Sequence, residues 1–394
     1  MQKNNHYFLY AVIAAIIIKL SLFAFAEIHI PISKISPDSS DYLKTAAVMA
    51  SDGVFAVKDE NGGLKYDVLR TPGYPLFLAI FHDKMRISLG GIVFLQILLT
   101  LFAAFITYKT AASLNLRIAV LSAVIILYDP PITIFSQMIL TEALFLFLIA
   151  LFMLEFTRYL KFREIKMAIS AALILVAATY VRPVSYYLGI AMAVFIVYAN
   201  MRENLKKGLI HAVIFFAIVY SLIGAWQVRN YVRCGEGVFS SISHNHVGSG
   251  LIGSYSRNSD PATRGMAPVL YYPNVTFRCL MSIMTRPGTL KDFHSDVLTA
   301  IGKVLAYPWM VFWLTGFIAG IAAVKRNIYL QAYLFIILYF LAVSIISIMW
   351  LVSERFRVPI MPFIAIISAY GWLNLVSAVK LDQWKLIFLS KREK

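Results

Sequence analysis

The sequence predicts an all-α polytopic membrane protein, and three observations carry that reading. Of 394 residues, 60% are hydrophobic and only 14% charged, with a mean hydropathy of +0.74, so most of the folded surface must face something apolar. Apolar runs long enough to cross roughly 30 Å of hydrocarbon recur along the chain. Lys and Arg gather in the short connections on one side of those runs, as the positive-inside rule requires.

Taken in order, the runs place about ten transmembrane helices, near residues 7–26, 87–108, 116–129, 140–158, 166–181, 184–200, 208–227, 298–323, 328–350 and 358–379. "PGYPLFLAIF" (72–81) is too short to span and reads as a helix at the outer face. Alternation puts "RYLKFREIK" (158–166), "RENLKK" (202–207), "VKR" (324–326) and the tail "KREK" in the cytoplasm with both termini. Two large loops, 27–86 and 228–297, then lie outside together with most of the acidic residues.

The formal charge of +16 is therefore mainly a mark of topology. A nucleic-acid partner, which would require a solvent-facing basic patch, is not expected. No repeat or soluble domain is visible, so residues 1–394 read as one transmembrane domain ending in a short basic tail. "AFA" before Glu27 has the small residues of a signal-peptide cleavage site, against which Lys19 and the spanning length of the segment count. Cys234 and Cys279 share the second outer loop, and a disulfide or a free pair are both open.

The first chemical candidate is "SPDSSDYLKTA" (36–46), which sets Asp38 and Asp41 three residues apart just beyond the first span. One reading is a helix start, with Pro37 at the first position and side-chain oxygens accepting from free N–H groups. The other is a general base, since burial at a lipid–water boundary raises a carboxyl pKa. On a helix, Asp38, Asp41 and Tyr42 share one face, where the acids can meet a cation.

Five arginines fall at outer helix ends: Arg70 in "LRTPGYP", Arg182 in "YVRPVS", Arg229 beside Asn230 in "WQVRNY", and Arg355 and Arg357 in "SERFRVP". Their position runs against the positive-inside trend and calls for a counter-charge. Guanidinium forks suit phosphate oxygens; pairing with Glu142, Glu354 or Asp129, or snorkelling to headgroups, is the alternative. Glu142 opens the fourth span, as a cap or as part of a site. His244 and His246 stand in the Gly/Ser run "SHNHVGSG" and read as substrate contacts or loop structure; no metal is assigned, because further ligands cannot be identified.

The order "PDSSDY", "RTPGYPLFLAIF", "DPPITIFSQMILTEALF", "YVRPVSYY", "AWQVRNYVRCGEGVFSSIS" and "ERFRVPIMPFIAIISAYG" resembles the GT-C superfamily of membrane glycosyltransferases, in particular bacterial relatives of protein O-mannosyltransferases and the lipid A aminoarabinose transferase. The resemblance implies an inverting enzyme of the bacterial cytoplasmic membrane. It would take a sugar from a polyprenyl phosphate at the outer, periplasmic face and pass it to an envelope glycan, lipid or protein. It implies Asp38 as the base and Arg229, Arg355 or Arg357 as phosphate partners. Two departures, the absence of a C-terminal soluble domain and of an Asp-x-Asp pair in the first loop, leave acceptor recognition and use of a divalent metal open.

The residues agree with such chemistry on their own terms. A lipid phosphate is already a good leaving group, so the reaction needs cations around it and one base across from it. A transporter or flippase would instead gather ionisable residues at mid-membrane and repeat broken spans in two halves. A structural subunit would use the arginines for headgroups and Asp38 as a cap.

Overall fold

The computed structural model describes residues 3–242, 267–286, 296–348 and 353–390. Among these, eight helices are long and apolar enough to cross a membrane, or nine if one bent pair counts as a single span. The protein is a multi-pass membrane protein. α1 (Lys3–His29), α4 (Leu89–Ala112), α7 (Glu142–Phe162), α10 (Leu205–Cys234), α12 (Asp296–Val324), α13 (Ile328–Ile348) and α14 (Met361–Ser390) each contain a spanning stretch. The eighth runs from Pro183 through α9 (Leu188–Asn200).

The two remaining expected spans have a different form. The stretch expected over 116–129 is α5 (Leu116–Leu127), which breaks by 52° into α6 (Pro130–Ser136). The cause is "DPP": Pro130 and Pro131 lack N–H groups, so the helix cannot run through them, and Asp129 restarts it by accepting the N–H of Ile132 at 3.1 Å. α8 (Ile165–Val181) has 17 residues and stops at Pro183, which bars the residue before it from helical backbone.

Packing between spans depends on small residues, since lipid supplies no hydrophobic drive to hold helices together. α12 lies on α14 through Gly316, Gly320 and Gly371, where a Cβ on Gly371 would overlap the Gly316 carbonyl and the Gly320 nitrogen. Lys19 does not face lipid. It is 1% exposed and donates to Thr133 Oγ1 on α6 at 2.7 Å, with Asp129 close enough to act on its charge.

The first long loop, residues 30–88, carries α2 (Pro37–Asp52), a hairpin of β1 (Ala56–Lys58) and β2 (Leu64–Tyr66), then α3 (Gly73–Leu78) and one short π-helical stretch. Ala56 pairs with Tyr66 and Lys58 with Leu64. The "KDENGG" turn closes because Asp59 Oδ1 accepts the N–H groups of Asn61 and Gly63. The described part of the second loop contains α11 (Pro268–Thr285). Cys234 and Cys279 are not bridged.

Candidate active site

α2 begins where "SPDSSD" predicts. Pro37 occupies the first turn, and the Ser36 N–H donates to Ser39 Oγ at 2.9 Å. Ser39 in turn donates to the Ile139 carbonyl at 2.8 Å, and the Ile139 N–H donates to the Lys34 carbonyl at 2.8 Å. These bonds clamp the start of α2 to the strand of chain that leads into α7, which brings Asp38 near Glu142. From below, Tyr74 donates to Gln96 Oε1 at 2.6 Å while Gln96 donates to the Ser136 and Met138 carbonyls.

Arg70 and Arg182 are brought in by one close contact. Gly73 lets α3 approach the end of α8: a Cβ there would stand 2.7 Å from the Tyr180 carbonyl oxygen. Thr71 Oγ1 donates to the Val181 carbonyl at 3.1 Å. The glycine of "RTPGYP" thus serves the close approach of backbone to backbone.

The result is one chain of ion pairs. Arg70 Nη2 donates to Asp41 Oδ2 at 2.9 Å and Asp38 Oδ1 at 2.8 Å. Arg355 Nη1 donates to Asp38 Oδ2 at 2.9 Å, and its Nε donates to Glu142 Oε1. Arg182 Nη1 donates to that same Glu142 oxygen at 2.7 Å. Three guanidiniums face three carboxylates, and their charges cancel. Aromatic rings hold the arginines from behind: Tyr42 under Arg70 at 5.0 Å, and Phe145 and Phe356 by Arg182.

Exposure separates the three acids. The Glu142 side chain is 1% exposed, that of Asp38 32% and that of Asp41 46%. Glu142 is an inner anchor that fixes two arginines, whereas Asp38 opens to solvent. Burial pushes the Asp38 carboxyl up, but the Arg355 and Arg70 charges and hydrogen bonds outweigh it and hold the pKa below its ordinary value. Burial raises the Tyr42 phenol, which accepts from Arg70 Nη1 at 3.4 Å.

Asp38, Asp41, Tyr42, Arg70, Glu142, Arg182 and Arg355 are therefore brought together, and the arginines in this group are paired with carboxylates. Arg229, Asn230 and Arg357 are not brought to this group. Arg229 donates to the Phe55 and Asp67 carbonyls and to Asn230 Oδ1, boxed by Phe55, Tyr66 and Trp226. Asn230 donates to the Val238 carbonyl at 2.8 Å. The two residues brace the hairpin against the end of α10. Arg357, 1% exposed, lies over Trp313 and donates to the Ile283, Met284 and Arg286 carbonyls at the end of α11. His244 and His246 lie outside the described residues.

Asp67 was not singled out by its sequence context, "KYDVLR". It accepts the Leu69 N–H at 2.7 Å, and burial raises its carboxyl, with Arg70 and Asp41 near enough to act on it. Among the described residues no three of His, Cys, Asp and Glu are grouped to hold a metal ion. The carboxylates of the cluster are turned to arginines, which balance their charge.

The description "dolichyl-phosphate-mannose-protein mannosyltransferase" belongs to the family model that matches residues 70–226, less than half of the chain. The apo oligosaccharyltransferase of Archaeoglobus fulgidus shares its fold, with a TM-score of 0.55 at 13% identity over 98% of this chain and 52% of that one. The chain has the GT-C fold. A second A. fulgidus structure, AglB with an inhibitory peptide and a dolichol-phosphate, aligns with a TM-score of 0.51 at 12% identity over 96% and 51% of the two chains. ArnT from Cupriavidus metallidurans bound to undecaprenyl phosphate aligns at 0.44, with 12% identity over 91% and 76%. The chain spans about half the length of the archaeal GT-C proteins it matches. No curated protein matches it in sequence.

Proposed function

We propose that this GT-C protein is an inverting glycosyltransferase that moves a hexosyl or pentosyl unit from a polyprenyl phosphate to a hydroxyl-bearing envelope acceptor. The site would face the periplasm, outside the bacterial cytoplasmic membrane, with both chain termini in the cytoplasm. The observation that carries the reading is the convergence of Arg70 and Arg355 on one solvent-open carboxylate, Asp38, with a buried carboxylate, Glu142, fixing Arg355 and Arg182. The dolichol-phosphate bound by one archaeal relative supports a lipid phosphate as the donor.

In the reaction the acceptor oxygen attacks the anomeric carbon as the bond from that carbon to the phosphate oxygen breaks. The electron pair of the broken bond stays on the phosphate, where the guanidiniums of Arg70 and Arg355 stabilise the growing charge. The acceptor proton passes to the Asp38 carboxylate and then to water. Attack from the face opposite the phosphate inverts the anomeric carbon. The low pKa of Asp38 belongs to the state in which both arginines grip it; a phosphate that shares those arginines raises its basicity when the acceptor must be deprotonated.

The test is donor consumption. Purified protein in liposomes, given a radiolabelled polyprenyl-phosphate sugar and envelope extract, releases lipid phosphate only when acceptor is present and labels the acceptor with inverted anomeric configuration. Movement of intact labelled lipid between leaflets without release would establish a flippase instead.

A further inference from the structure

Each of the three arginines of the cluster is already paired with a carboxylate, so a pairing must yield when the donor arrives. Asp41 is the carboxylate placed to yield. It is the most exposed of the three, at 46%, and has one arginine partner, Arg70 Nη2, whereas Asp38 and Glu142 each hold two arginines. Exposed pairs are weak and easily exchanged.

Arg70 is built to stay when its partner leaves. Its guanidinium lies over the Tyr42 ring at 5.0 Å, and Tyr42 is itself wedged edge-on against Tyr74 at 5.1 Å. Asp38 continues to hold Nη2 from the other side. Arg70 Nε is buried and has no hydrogen-bond partner, so the fork has a spare donor that Asp41 does not use. A tetrahedral phosphate, with more acceptor oxygens than a carboxylate, suits a fork with donors to spare.

We infer that Asp41 is an internal stand-in for the donor phosphate: it holds Arg70 in the empty site, gives it up to a lipid phosphate, and reclaims it when the product leaves. This rests on the transferase reading above. Charge gives the exchange a direction. A sugar phosphodiester carries one negative charge, while the lipid monoester left after transfer carries up to two near neutral pH. Asp41 therefore competes with and repels the product more strongly than the donor, and it limits how tightly both are held.

The experiment measures binding of farnesyl phosphate, a short polyprenyl monoester, to the full chain in nanodiscs by calorimetry. Asp41→Asn is expected to bind about fivefold more tightly than wild type, Asp41→Ser likewise, Asp41→Glu like wild type, and Arg70→Gln more weakly. A gain in affinity cannot come from structural damage. If Asp41→Asn and Asp41→Ser bind no more tightly while Arg70→Gln still weakens binding, the stand-in role is overturned and the phosphate site survives. If neither wild type nor Asp41→Asn binds farnesyl phosphate, the inference and the transferase reading fall together.

Discussion

Arg355 and Asp38, 317 positions apart in sequence, are joined Nη1 to Oδ2 at 2.9 Å. That single bond links the start of the last spanning helix to α2. Through Glu142 it reaches the start of α7 and the end of α8 as well. The site is thus a junction of four helix ends, and its chemistry depends on all of them being in register.

Replacing Asp38 by Asn keeps the shape and removes the base. Transfer is expected to fall by about 10²- to 10⁴-fold, with lipid-phosphate binding retained because Arg70 and Arg355 remain. Paired turnover and binding measurements on the purified variant check both halves.

Glu142→Gln leaves Arg182 and Arg355, 15% and 22% exposed, without their shared counter-charge. Breaking a buried pair this way costs roughly 3 kcal/mol, so thermal unfolding in detergent is expected at clearly lower temperature, with turnover lost. Asp41→Asn, at an exposed position, is expected to change stability by less than about 1 kcal/mol.

The Arg355 and Arg70 charges and hydrogen bonds outweigh burial and hold the Asp38 carboxyl below its ordinary value, so the carboxylate is ionised throughout the neutral range. A depressed carboxyl contributes stability that is present above the unfolded-state pKa and lost as pH falls through the folded-state value. The acid limb of kcat/KM, which reports the free enzyme, is therefore expected below the ordinary carboxylate range. Arg70→Gln is expected to move that limb upward by about one pH unit, the effect of losing one neighbouring cation. A pH–rate profile on the two proteins checks the sign.

Much of this arrangement is legible in the sequence and some is not. Long apolar runs mark spans because few other structures need them, and "SPDSSD" marks a helix start because proline and serine each have one favoured place there. The breaks follow from proline chemistry: "DPP" splits the span expected over 116–129. Arg229, Arg355 and Arg357 look alike in sequence, each at an outer helix end. Packing alone separates them, sending Arg229 into an aromatic box, Arg357 under α11 and Arg355 to Asp38. Lys19 reads as a fault in a span until Thr133, on the far side of a bent helix, supplies its partner. Asp67 has no local signal, since its environment is made by the fold.

The close crossing of α12 and α14 gives a stability test away from the site. Gly371→Leu forces a side chain into the backbone of Gly316 and Gly320, and overpacking costs about 1–3 kcal/mol or more. Loss of the folded peak in size-exclusion chromatography is expected, while Gly224→Leu, with nothing within 4 Å of its Cβ position, is expected to be tolerated.

The most direct test of the central claim is transfer of radiolabelled sugar from a panel of polyprenyl-phosphate sugars to envelope extract, with wild type beside Asp38→Asn in the same liposomes. The account predicts label in an acceptor with wild type only, while both proteins bind the donor. Equal transfer by the two proteins would contradict it, because the solvent-open carboxylate held by Arg70 and Arg355 would then have no part in the reaction.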